Sequence, residues 1–124
     1  DGTIFGDVTI GADRATFTDG RIELDRSEDF RMNSSDAFTY SVRIQSPGLV
    51  DGAAVFAKAP AGAVENDERV IALYLDEATP VHDVYFFGEL RGGTVSDTAF
   101  TTVTVVHVGQ TATLFVEGVA AYSR

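Results

Sequence analysis

The sequence holds no cysteine, no tryptophan, a single methionine (Met32), a single lysine (Lys58) and only three prolines in 124 residues. The missing cysteines exclude a disulfide framework and any thiolate metal site. An extracellular domain of this size without disulfides has to rely on a well-paired sheet and one modest core. Long apolar runs are missing too. None approaches the roughly 18 residues that a membrane-spanning helix needs, so membrane insertion is not expected. No signal-peptide pattern or basic targeting stretch is found. The chain begins at Asp1 and not at Met, which reads as a processed or excised piece of a larger protein.

Basic charge is scarce as well. Nineteen acids face nine bases, a net charge of −10. Such a surface repels phosphate backbones, so nucleic acid is not an expected partner. The simplest role of the excess acid is to keep the domain soluble. The high Asp, Thr and Val and the low Lys resemble the bias of proteins from saline habitats, and GC-rich coding produces the same bias.

What is present is alternation. No stretch sustains apolar residues at i, i+3, i+4 and i+7, whereas period-two patterns recur, punctuated by glycines and Asp-Gly pairs. The pattern predicts strands near 3–5, 8–10, 14–18, 21–24, 38–46, 53–58, 69–76, 81–88, 101–108, 111–117 and 119–122. In "FTYSVRIQS" Phe38, Tyr40, Val42 and Ile44 share one face, and Thr39, Ser41, Arg43 and Gln45 share the other. In "TTVTVVHVG" Val103 and Val105 face inward, opposite Thr102 and Thr104. Gly109-Gln110 suits a hairpin turn into "TATLFVEG". "ERVIALYLDE" and "VHDVYFFGE" are apolar on both faces, as central strands are, and Pro80 between them is placed for a turn. Residues 60–68 and 91–97 read as loops, and 25–37 as room for one helical turn. Asp1, Asp7, Asp13, Asp19 and Asp25 recur every six residues, but Thr16 and Glu28 break the apolar position, so strand-and-turn spacing explains them better than a parallel β-helix. No linker divides the chain, and one all-β domain over 1–124 is expected, an antiparallel two-sheet sandwich.

Two stretches make this more specific. "FTYSVRIQS" and "TTVTVVHVGQTATLFVEG" resemble the laminin G-like, concanavalin A-like jelly-roll superfamily. One strand of that family reads Phe-Thr-x-Ser-x-Trp-Val, matched by Phe38, Thr39, Ser41 and Ile44. A later hairpin ending Leu-Tyr-Val-Asp-Gly is matched by Phe100, Val103, Val105, Leu114, Phe115, Val116, Glu117 and Gly118. "ATFTDGRIEL" at 15–24 is similar to the family's opening segment, and the likeness spans about residues 8–120. Arg43 and Phe100 stand where the family carries tryptophans. Family members continue past the hairpin to a closing strand, so the resemblance implies a sheet cut short at both ends. Its open edge would be covered by another chain, a copy of this one, or a missing segment.

The resemblance extends to glycoside hydrolases and lyases, but its glucanases use Glu-x-Asp-x-x-Glu. Here Asp76 and Glu77 are adjacent and point to opposite faces, and Glu65, Asp67 and Glu68 fall in a loop. An enzyme is not expected. Hydrolysis would need acids from distant loops to converge within a cleft. No Gly-x-Ser-x-Gly elbow is present. His82 and His107 are the only histidines, too few for a zinc site.

Calcium is the cofactor that the resemblance implies, held by oxygen ligands at a loop rim. Asp67 and Glu68 lie close to the family's ligand position, with Arg69 nearer to it, and Asp83 on the following strand would face the same rim. For binding, a flat ring beside carboxylate, amide or guanidinium groups suits a sugar. Arg43 and Gln45, Tyr74, Tyr85 and Phe87 alternate away from the expected core, and Arg91 sits beside Gly92-Gly93. If their strands neighbour one another they form a shallow groove. Equally, Tyr74, Tyr85 and Phe87 would fill a second layer of core. "NSS" at 33–35 matches a glycosylation acceptor.

The leading expectation is therefore a non-catalytic carbohydrate-binding or adhesion module of a larger extracellular or surface protein, with a glycan or surface protein as partner. The alternative is a structural subunit or decoration domain of a virion or surface layer, oligomeric or pairing with another chain through its sheet edge. A fold of this kind hosts many activities.

Overall fold

The computed structural model describes residues 2–24, 37–46, 50–58, 71–84 and 88–123. These residues form ten strands, paired antiparallel throughout, and no helix occurs among them. The chain separates into two compact units, residues 1–32 and 33–124.

The described residues of the first unit form one long hairpin. β1 (Gly2–Ile10) pairs with β2 (Ala15–Leu24). The sequence divides this segment into four short strands, but Gly6 and Gly20 bend the two strands without ending them. Gly6 adopts a φ of +74° opposite Gly20, and the register shifts between Asp7 and Val8. A Cβ on Gly6 would run into the Asp19 carbonyl oxygen, so only glycine allows this approach. The turn is closed by the Gly11 N–H, which donates to the Arg14 carbonyl at 2.8 Å.

The second unit holds two four-stranded sheets, ordered β10-β9-β8-β3 and β4-β5-β6-β7. β3 (Phe38–Ile44), β8 (Thr101–Val108), β9 (Thr111–Val116) and β10 (Val119–Ser123) make the first. β4 (Val50–Lys58), β5 (Ile71–Glu77), β6 (Thr79–Val84) and β7 (Gly88–Arg91) make the second. One core joins them: Leu73, Leu75 and Leu90 from the second sheet meet Val103, Val105, Ala112 and Leu114 from the first. Tyr40, Val42, Ile44 and Val55 pack against that cluster. Two apolar faces buried against each other make a sandwich-like all-β unit.

The expected alternation accounts for these faces. β8 alternates strictly between buried and half-exposed residues from Thr101 to His107. Phe38 and Tyr40 face the interior, and the Phe38 ring stacks on buried His107 at 4.7 Å and 5°. β5 lies inside its sheet, between β4 and β6, as its apolar faces predict. Gly109, with a φ of +60°, and Gln110 form the expected hairpin turn. Glu117 and Gly118, both at positive φ, form the next, and a two-residue turn of that type matches the twist of its strands.

Two segments differ from expectation. The turn before β6 is made by Glu77 and Ala78, so Pro80 is a buried strand residue opposite Leu75. The segment read as one strand over 81–88 is the end of β6 and the start of β7, for Val84 pairs with Gly88 as the chain reverses. Arg91 accordingly ends a strand. The expected helical turn near 25–37 falls almost wholly outside the described residues, and the expected loop at 60–68 entirely so.

The crossover from β7 to β8 is stitched to both sheets. The Val95 N–H donates to the Ala78 carbonyl at 2.7 Å, and Val95 itself is buried in the core. The Ser46 N–H donates to the Ser96 carbonyl at 3.2 Å. The Ser96 hydroxyl accepts from the Thr98 and Ala99 N–H groups, fixing a tight turn. Gly92 and Gly93 let this crossover lie against Ala121 and Val116, bringing the β7 side of one sheet onto β9 and β10 of the other.

Candidate functional site

Register decides which side chains share an outward face. On the second sheet Ala54, Tyr74, Val81 and Arg91 form one cross-strand row, and Asp83 and Glu89 are register partners in a neighbouring row. Asp76 stands two residues beyond Tyr74, on the same face. Leu73 and Leu75, between them, point into the core.

Four side chains on this face form one hydrogen-bonded array. The Tyr74 hydroxyl donates to Glu89 Oε1 at 2.7 Å. The Arg91 guanidinium bridges Glu89 Oε2 at 3.0 Å and Asp76 Oδ2 at 2.8 Å. Tyr74 and Arg91 flank Val81, which is fully buried yet is not part of the cluster between the sheets. On the other side of Tyr74 the row continues to exposed Ala54.

Electrostatics follows from these contacts. The Tyr74 phenol and then the Arg91 guanidinium hold the Glu89 carboxyl below the usual carboxylate range. Arg91 is held further toward its charged form by Glu89 and then Asp76. The array presents fixed carboxylate oxygens and guanidinium N–H groups beside an aromatic ring, which suits ligands with adjacent hydroxyls and an apolar face. It does not suit proton donation, because a catalytic acid needs its pKa raised and Glu89 has the opposite shift.

The first sheet presents a different outward face. Ser41, Thr104, Phe115 and Ala120 share one row, and Arg43, Thr102 and Glu117 follow the line of another. Its hydroxyls pair across strands, Ser41 with Thr104 at 2.8 Å and Thr113 with Ser123 at 2.9 Å. The Arg43 guanidinium lies 5.4 Å from the Phe100 ring centre. Gln45 Nε2 donates to the Asp97 carbonyl at 3.0 Å, so this amide helps to anchor the crossover.

The residues singled out from the sequence thus fall into separate groups. Tyr74 and Arg91 come together. Arg43 and Gln45 belong to the other sheet, across the core, and do not join them in one groove. Tyr85, Phe87, Asp67 and Glu68 lie outside the described residues. Asp83 is the register partner of Glu89 on the neighbouring strand. Among the described residues no three His, Asp or Glu side chains gather into a group that could hold a metal ion.

Sequence reasoning weighed Asp76 only as a catalytic acid and passed over Glu89. The i, i+2 spacing of Glu89 and Arg91 is the signal that they share a face, and it becomes readable once "GELR" is taken as a strand. Their meeting with Tyr74 depends on β5, β6 and β7 being neighbours.

Fold and surface together define an all-β, sandwich-like unit with a preorganised polar array on one outward sheet. Comparison of the chain with known protein families, curated proteins and solved structures finds no match.

Proposed function

We propose that this chain is a non-catalytic carbohydrate-binding or adhesion module of a larger extracellular or surface protein, built on a jelly-roll sandwich of the laminin G-like, concanavalin A-like kind. The observation that carries the reading is the Tyr74–Glu89–Arg91–Asp76 array. Its ring supplies a face for sugar C–H bonds, and its fixed charges supply bidentate hydrogen bonds to neighbouring hydroxyls. Holding these groups in place before the ligand arrives lowers the ordering cost of binding. The net charge of −10 disfavours polyanionic glycans and favours neutral ones.

A glycan array, read with calcium and with chelator, tests the proposal. Specific binding that falls at least tenfold in Tyr74→Ala and Arg91→Ala supports it. No binding to any glycan, or binding indifferent to both substitutions, overturns the site.

A second reading, a structural subunit that adds a strand from another chain, has one observation in its favour. β3 keeps unbroken register with β8 over all seven residues, whereas β4 and β10 carry register shifts and β7 has only four residues. Bulged or short edges resist pairing, and a regular edge accepts it. A stable oligomer in light scattering with no glycan bound would favour this second reading.

A further inference from the structure

We propose that the β1–β2 hairpin carries a salt-controlled joint at Asp7 and Asp19, whose repulsion loosens the far end of the hairpin at low ionic strength and whose screening closes it. The inference does not depend on the glycan reading.

It starts from the register. Among the described residues, three cross-strand pairs set one charged side chain type directly opposite another: Asp7 with Asp19, Asp51 with Asp76, and Asp83 with Glu89. All three oppose acid to acid, and none opposes acid to base. Like charges placed directly across a ladder destabilise it. The two pairs of the second unit have an arginine beside them, since Arg91 bridges Asp76 and Glu89. In the hairpin the described arginines are engaged with other acids. Arg14 bonds Asp13 at 2.9 Å and Arg21 bonds Glu23 at 2.6 Å.

The opposition explains the recurrence of aspartate every six residues. A chain that turns near Asp13 brings together the residues six positions to either side, which are Asp7 and Asp19. The hairpin itself leaves both side chains exposed.

The ladder is weakest at the same place. On one side of the pair Gly6 stands opposite Gly20, with no side chains to pack across the strands. On the other side the register shifts between Asp7 and Val8. Beyond the shift Val8–Phe17, Thr9–Thr16 and Ile10–Ala15 hold the end closed, together with the Gly11–Arg14 bond of the turn. A two-stranded ladder is at best marginally stable in water. A small repulsion at this joint therefore shifts the local opening equilibrium.

Magnitudes make salt the control. Directly opposed residues have Cβ atoms about 5 Å apart. The Debye length is about 30 Å at 0.01 M ionic strength and about 3 Å at 1 M. A pair at this spacing keeps most of its repulsion in the first medium and about a fifth of it in the second. The net charge of −10 acts in the same direction, because screening also relieves the repulsion among the other surface acids.

Amide hydrogen exchange of the full chain, read by NMR in potassium chloride between about 0.01 and 1 M, tests this. Protection factors at Val8, Thr9, Thr16 and Phe17 should rise about threefold across that range. Asp7→Asn and Asp19→Asn should each raise protection at low salt and remove most of the salt response. Asp97→Asn makes the same change in net charge on a crossover residue outside every ladder, and should leave the response in place. Asp7→Lys sets a base against Asp19 and should reverse the sign, so that salt lowers protection. Protection indifferent to salt in the unaltered chain overturns the proposal. A response that survives Asp19→Asn, or keeps its sign in Asp7→Lys, overturns it too, because salt would then be acting elsewhere than on this pair. None of these results bears on glycan binding, which the Tyr74 and Arg91 variants read separately.

Discussion

The Tyr74 phenol donates a 2.7 Å hydrogen bond to the Glu89 carboxylate although β6 separates their strands. The bond helps to hold Glu89 below the usual carboxylate range. A depressed carboxyl pKa contributes stability that is fully present above the unfolded-state value, about 4.3, and is lost as the pH falls through the lower folded value. Urea unfolding should therefore show a decline below about pH 4 that Glu89→Gln reduces. With its partner Arg91 about half exposed, the share is only a few tenths of a kcal/mol after screening. Tyr74→Phe should return the Glu89 titration midpoint toward its ordinary value by NMR.

Tyr40 gives the alkaline counterpart. Burial pushes its phenol above the ordinary tyrosine range. Here the folded state holds the proton more tightly, so the stability is present below the unfolded value of about 10 and is lost as the pH rises above it. Absorbance titration should show one of the four tyrosines ionising only with unfolding, and Tyr40→Phe should remove that component.

Gly93 and Gly109 separate backbone strain from steric contact. Both have positive φ, +75° and +60°. A Cβ on Gly93 would lie 2.5 Å from Val116 Cγ2, whereas a Cβ on Gly109 meets nothing within 4 Å. Gly109→Ala should cost about 1 kcal/mol, the left-handed penalty alone. Gly93→Ala should cost roughly 1–3 kcal/mol more, because Val116 must also move. Chemical denaturation of the two variants measures the difference.

The shared core predicts a steep contrast along neighbouring strands. Leu114 is fully buried and Val108 is 61% exposed. Leu114→Ala should cost about 3 kcal/mol, and Val108→Ala should stay within about 0.5 kcal/mol. Equal losses in thermal unfolding would mean that the two sheets do not share one interior.

The strand class and the inward faces were legible because side-chain alternation is local: Val42, Val103 and Leu114 declare their side within a few residues. The hairpin turn at Gly109-Gln110 was legible for the same reason. The extent of β1 and β2 was not, since Gly6 and Gly20 read as breaks and prove to be bends that face each other. Nor was β7, four residues long and hidden between an apolar run and a glycine pair.

The sequence by itself determined an all-β chain, its apolar interior residues and its acidic, disulfide-free character. Only the tertiary structure decided that Tyr74 meets Glu89 and Arg91, that Arg43 and Gln45 lie across the core from them, and that Asp7 stands opposite Asp19 in the first hairpin. The physical reason is that alternation fixes which side of its own strand a residue takes, whereas neighbours across a sheet are set by strand order and register, through contacts distant in the chain.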